Sequence, residues 1–348
     1  MSLHLGGAVS VRSFGQFGAT EILEVTLATD AGAEAKVITW GAVLRDVVVP
    51  SRSGRQPVVL GLERLDHYVE HSPSFGAILG RYANRIGDAR FRLGGQDVQL
   101  IANEAGNELH GGPRGFGKRP WSLLGHDRRS ATLALLSEDG DQGYPGRLFA
   151  TCTYELDEPA TLRVTLQAFA EEPTPVNLST HSYWNLDGSA DIRSHRLQVN
   201  ADFITPTDAE LIPTGAITAV AGTPYDFHAP RPIRSSEADP DYDINYVIKR
   251  ERSVRPELAH AATLSSDASG LAMELWTTEP GLQVYDGHKL SVPVPGLGGR
   301  RYGRCAGVAL EPQRFPDGPN RSYFPSCILE PGQVSRQVSE MRFSVLGG

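Results

Sequence analysis

The sequence predicts an all-β protein built as a large antiparallel β-sandwich, and three observations point there. Short alternating segments recur along the chain, windows of helical period are scarce, and chain-breaking residues abound, with 37 glycines and 24 prolines in 348 residues. Those two residues together make up roughly 12% of an average chain, so the excess disfavours long helices and coiled coils. Strand signals fall at Lys36 to Trp40, Ala131 to Leu136, Phe149 to Leu156, Leu162 to Phe169, Leu271 to Thr277 and Val308 to Glu311. Each is short, mostly rich in β-branched, aromatic or other apolar side chains, and bounded by turn signals. Those turns include Arg52-Ser53-Gly54, Leu93-Gly94-Gly95, Glu138-Asp139-Gly140 and Leu186-Asp187-Gly188. Helical turns are expected only at Glu63 to Val69 and at Pro256 to Ala262. No clear linker, fixed-period repeat or low-complexity tract divides the chain, so residues 1–348 are expected to form a single domain.

Composition narrows the function. A hydrophobic share of 40% supports a sizeable core. The formal charge of −8 lacks the basic footprint of a nucleic-acid binder. A small neutral substrate fits better, and no nucleic-acid partner is expected. Cys152, Cys305 and Cys327 are odd in number and show no C-x-x-C spacing, which disfavours a disulfide-stapled secreted fold. A reducing, cytoplasmic location is therefore expected. The N-terminus shows no basic segment followed by an apolar one, so no signal peptide is expected. No run approaches the roughly 20 apolar residues of a membrane span, so no membrane partner is expected either. The N-x-S triplets at Asn177 and Asn320 are accordingly read as unglycosylated.

Four clusters concentrate unusual side chains. In Gly80-Arg81-Tyr82-Ala83-Asn84-Arg85-Ile86-Gly87, two arginines flank a Tyr and an Asn. This is either an ion-paired surface loop or a fork of donors for hydroxyls and carboxylates. The run from Asn107 to Lys118 contains His110-Gly111-Gly112 and a G-x-x-x-x-G-K string from Gly112. A phosphate loop would continue with Ser or Thr, and Arg119 stands there instead. The glycines fit a tight loop that presents His110. Asn177 to Leu186 places His181 among Thr, Ser, Tyr, Trp and Asn, the mixture of aromatic faces and polar groups that a sugar site uses. Glu311 closes the apolar run Val308 to Leu310 and precedes a proline-rich loop, a placement suited to a pocket rim and equally to an ordinary exposed Glu. His67 and His71 share a helix-face spacing but lack H-E-x-x-H, and no metal site is expected. No G-x-S-x-G is present.

Taken together, these clusters resemble the aldose 1-epimerase (galactose mutarotase) family. Further matching strings are Leu211 to Gly215, Thr223 to Phe227, Tyr242-Asp243 with Asn245, Thr277 to Gly281, and Pro316-Asp317 with Asn320. They stand in family order from about Val11 to Val345. The resemblance implies a galactose mutarotase-like supersandwich with an open sugar groove, no cofactor and no metal. It implies Glu311 as general base and His181 as general acid. It places His110, Arg85, Asn84, Asp243 and Glu279 at substrate-positioning sites, with Glu279 where some members carry Gln. Ile244 stands where many members have His, so a changed sugar preference is expected there.

The implied chemistry suits these residue types. Interconverting α and β anomers of a free aldose opens a hemiacetal ring. One group takes the proton from the C1 hydroxyl and another protonates the ring oxygen. Rotation about C1–C2 and closure on the other face complete the exchange. Each group contributes about 10² to 10⁴ in rate. The expected partner is a monosaccharide, and the expected assembly a monomer or homodimer. Three alternatives fit the same residues: a hexose-6-phosphate 1-epimerase, a non-catalytic sugar-binding domain on the same fold, and a glycosidase using Asp243 and Glu311 as paired carboxylates.

Overall fold

The computed structural model describes residues 10–236, 238–250 and 257–347. Three antiparallel sheets carry the architecture. The first is a meander of five strands in chain order, Ser10–Phe17, Thr20–Ala28, Glu34–Ile38, Val43–Ser51 and Gly54–Pro57. The second has nine strands, ordered Ser122–His126, Ser130–Ser137, Leu148–Asp157, Thr161–Ala170, Ser335–Val345, Leu271–Thr277, Ala259–Ser266, Arg196–Val199 and Arg231–Pro232. The third has six, ordered Tyr183–Trp184, Val308–Gln313, Gly281–Tyr285, Asp243–Ile248, Ala201–Thr205 and Thr218–Ala219. The C-terminal strand Ser335–Val345 sits mid-sheet, pairing with Thr161–Ala170 on one side and Leu271–Thr277 on the other.

Period-2 alternation decides which way each strand faces. In Leu148–Asp157 and Thr161–Ala170, every second side chain is buried. Leu133, Val164, Leu275 and Met341 of the nine-stranded sheet join Tyr246, Leu282, Val308 and Leu310 of the six-stranded sheet in one core cluster. Each fully buried aliphatic side chain contributes about 1.5–3 kcal/mol relative to exposure, so this shared layer holds the two sheets face to face. Val25, Val37 and Val47 bring the meander onto the same cluster.

The helical turn expected near Glu63 to Val69 is the α-helix Leu65–His71, which buries Leu65 and Tyr68. The other expected turn is corrected. Pro256 lies outside the described residues, and Ala259–Ser266 is a strand with paired neighbours on both sides. Its short apolar run fits an interior strand as well as a helical turn, and pairing decides. No helix among the described residues is long and apolar enough to cross a membrane. The three cysteines are unpaired and buried.

Candidate active site

The six-stranded sheet buries one face in the core and turns the other toward a cavity. On Asp243–Ile248, the residues Ile244, Tyr246 and Ile248 enter the core, which leaves Asp243 and Asn245 on the opposite face. On Gly281–Tyr285, Leu282 and Val284 enter the core, which leaves Gln283 and Tyr285. On Val308–Gln313, Val308 and Leu310 enter the core, which leaves Glu311. The register sets these side by side: Asp243 opposite Tyr285, Asn245 opposite Gln283, and Gln283 opposite Glu311. Polar residues on one face of three adjacent strands thus form the floor of a site.

The opposing wall comes from loops. The cavity, of about 290 Å³, is lined by Asn84, Arg85, Glu104, His110, His181, Tyr183, Asp243, Tyr285, Lys289 and Glu311, with Pro73, Ser74 and Leu109. His181 sits between the short strands Ser179–Thr180 and Tyr183–Trp184. Its backbone is pinned by His181 N–H donating to Ala77 O and Gly76 N–H donating to His181 O, both 3.0 Å. Alternation then puts Tyr183 beside it, with ring centroids 5.0 Å apart, and sends Trp184 into the core against Phe343.

His110 and Asn84 are locked together. Both adopt left-handed backbone, with φ of 56° and 64°. His110 N–H donates to Asn84 O at 3.0 Å, and Asn84 N–H donates to His110 Nδ1 at 3.0 Å. A ring nitrogen that accepts a backbone N–H carries no proton, so the neutral imidazole bears its hydrogen on Nε2. Burial drives His110 well below the usual imidazole range, with His181, Arg85 and Lys118 adding to the effect. The turn after it needs glycine. Gly111 has φ of 84°, and a Cβ there would lie 1.7 Å from Gly80 O.

Arg85 is held by a two-point pair with Glu104, including Nη2–H to Oε1 at 3.1 Å. Arg81, the other arginine of that cluster, does not reach the cavity. It is 1% exposed and donates to Pro145 O, Gly146 O and Ser137 Oγ, so it is a strut between loops rather than half of a fork. The proline-rich loop after Glu311 is likewise no rim. Glu311 lies inside its strand, and the loop packs back on Tyr82, whose O–H donates to Phe315 O at 2.7 Å.

His181 Nε2 and Glu311 Oε1 stand 3.7 Å apart, too far for a hydrogen bond. His181 Nδ1 and Glu311 Oε2 are buried without a partner. Burial pushes His181 down to about 4. It pushes Glu311 well above the usual carboxylate range, with Asp243 adding to that and Arg85 opposing it. In the site as it stands, the proton therefore favours Glu311 and the imidazole is neutral.

Of the residues expected at the site, the structure brings Glu311, His181, His110, Arg85, Asn84 and Asp243 around this cavity. It does not bring Glu279 there. Glu279 lies beyond the start of Gly281–Tyr285, buried near Arg250 and Arg314, and Arg250 Nη2 donates to its backbone O at 2.6 Å. The side chain on the site face is Gln283, whose Nε2–H donates to Asp243 Oδ1 at 2.7 Å. Its parity with Tyr285 on a strand beside Glu311 is the signal that would have found it. Glu104 and Lys289 carried no such signal. Ile244 faces the core cluster, so the sugar preference expected to change there has no contact through which to act. Among the described residues, one trio has metal-binding proximity, Asp241, Asp286 and His288. Arg234 already pairs with both of its carboxylates, and Arg304 with Asp241.

Residues 24–342 match the family model described as aldose 1-epimerase. The chain is 36% identical to an aldose 1-epimerase of Escherichia coli K12, over 92% of this chain and 94% of that one. It is 37% identical to the galactose mutarotase of Homo sapiens, over 89% and 90%. Among solved structures, an aldose epimerase homologue from C. elegans superposes with a TM-score of 0.88 at 29% identity, covering 93% of this chain and 99% of that one. A galactose 1-epimerase from Lactobacillus acidophilus gives 0.83 at 26% identity, covering 97% and 99%.

Proposed function

Because the chain belongs to the aldose 1-epimerase family, we propose that Glu311 and His181 are the base and acid of its mutarotation of free aldoses. One observation carries the assignment: two buried titratable groups face one cavity, unbonded to each other at 3.7 Å, each with a polar atom lacking a protein partner. Sugar hydroxyls and the ring oxygen are the groups that satisfy them.

The pair needs one proton between its two members. With Glu311 ionised and His181 protonated, Glu311 takes the C1 hydroxyl proton while His181 donates to the ring oxygen. The C1–O5 bond breaks and the open aldehyde forms. Glu311 is then neutral and His181 neutral, which is the protonation state that burial favours. Desolvation therefore stabilises the pair in the form that accompanies the open chain, where a free imidazole and free carboxylate would resist it. Rotation about C1–C2 follows, and both protons return as the ring closes on the opposite face. Asp243, oriented by Gln283, accepts hydrogen bonds from sugar hydroxyls. His110 donates its Nε2–H, and Arg85 keeps a fixed positive charge beside the sugar oxygens. Asn84 holds His110 in place.

The substrate is a monosaccharide, acting in a reducing, cytoplasmic setting that suits three unpaired cysteines. Phosphorylated sugars find no free guanidinium in the cavity, because that of Arg85 is taken by Glu104 and that of Arg81 is buried among carbonyls, which leaves Lys289 as the lining cation that a phosphate would meet. The test is polarimetry on freshly dissolved α-glucose, α-galactose, xylose and arabinose. At least one should mutarotate faster with protein than without, and uncatalysed rates throughout would defeat the reading.

A further inference from the structure

Directly beneath the turn that carries His110 lies a buried acid that the mechanism does not use. Glu108 is fully buried, on the short strand Glu108–Leu109, which pairs with Arg85–Ile86. One carboxyl oxygen, Oε2, accepts the Tyr144 O–H at 3.0 Å. The other, Oε1, has no partner, and the N–H groups of Gly111 and Gly112 face the carboxyl group. We propose that Glu108 is a positioning residue of the reaction: its neutral carboxyl group lets the Gly111–Gly112 turn hold His110 in its working orientation, and its ionisation draws that turn down and displaces the ring.

The coupling follows from what the turn is bonded to. A buried carboxylate demands donors, and besides the Tyr144 O–H the two glycine N–H groups are the ones that face it. Gly112 N–H is already given to Leu109 O at 3.2 Å. Gly111 packs so closely on Gly80 O that a Cβ would overlap it. With no slack behind it, turning either peptide toward Glu108 rotates the backbone at His110. His110 is tied to Asn84 at both ends, its backbone N–H donating to Asn84 O and its ring Nδ1 accepting from Asn84 N–H, so rotating that backbone displaces the ring from its partner.

The groups around Glu108 leave it as the one that titrates near neutrality. Burial pushes Glu108 up to about 8, and the Tyr144 O–H and then the Gly111 and Gly112 N–H groups oppose that push. Tyr144 is held well above its usual range by burial and by Glu108 itself. Arg81 stacks over the Tyr144 ring, 5.5 Å from its centroid, and stays protonated with a value lowered by burial to about 10. His110 is neutral well below pH 6.5. On the neighbouring strand, Arg85 is paired with Glu104.

The kinetic arm of the test rests on the mutarotase reading, and the spectroscopic arm does not. In the first, kcat/KM of Glu108→Gln is divided by that of the parent protein across pH, which cancels any limb due to Glu311. The ratio should rise about tenfold from pH 7 to pH 9. In the second, the ring ¹⁵N resonances of His110 should show an inflection near 8 in the parent and none in Glu108→Gln. Tyr144→Phe removes a donor to the ionised form, so its inflection should move to higher pH. This variant also serves if the glutamine form folds poorly. A purely structural role would lower activity at every pH without moving either inflection. A flat ratio, or His110 resonances that titrate alike in parent and variants, overturns the proposal. Absence of mutarotation with the His110 inflection intact defeats the functional reading and leaves the coupling standing.

Discussion

At the scale of single residues, the acid–base pair makes a pH prediction whose sign is fixed by burial. The pair works with one proton. Adding a second, on the acid side, means protonating His181, which burial lowers to about 4. An unburied imidazole would place that step near 6.5. The acid limb of kcat/KM should therefore fall near pH 4, and a limb near 6.5 would contradict the burial argument. Glu311 and His181 were legible in the sequence because each stands in a distinctive string. Gln283 was not, because a lone amide in the alternating run Gly281–Tyr285 reads as an ordinary strand residue until Glu311 is known to lie opposite. The Glu279 expectation failed for a related reason: spacing along the chain places it next to the site strand, and only the strand's start at Gly281 shows that it falls outside the cavity face.

At the scale of elements, alternation explains most of what the sequence revealed. Every strand read from period 2 lies in one of the three sheets, and the same rule separates Tyr183, in the cavity, from Trp184, in the core. The loops were harder. The glycines after His110 suggested a tight turn but not what it packs against, because the contact with Gly80 joins segments distant in sequence. That contact is testable. Gly111→Ala costs about 1–3 kcal/mol for the left-handed backbone alone, and its Cβ would in addition stand 1.7 Å from Gly80 O. The turn should shift to relieve it, so thermal denaturation should register a lower midpoint and mutarotation should fall. An unchanged midpoint with unchanged activity would show that the turn has slack.

At the scale of the whole molecule, the site exists because two sheets share a core. The face of the six-stranded sheet opposite the cavity is the face packed against the nine-stranded sheet, so side chains such as Leu282 and Leu310 fix the strands that carry Gln283 and Glu311. We propose that the chain unfolds as one cooperative unit. Circular dichroism and near-ultraviolet signals should trace one coincident transition, and two separated transitions would contradict it. Strand order was beyond the sequence, since pairing of Ser335–Val345 between Thr161–Ala170 and Leu271–Thr277 is set by packing rather than by local pattern.

The central claim is that Glu311 and His181 carry the proton transfers of anomer exchange. Anomeric exchange rates measured by NMR magnetisation transfer on the best aldose, at pH 7, test it directly with Glu311→Gln and His181→Asn. Each substitution should lower the catalysed rate by about 10² to 10⁴, with the circular dichroism spectrum of the parent retained. A folded variant of either residue that exchanges anomers within a few-fold of the parent would contradict the account.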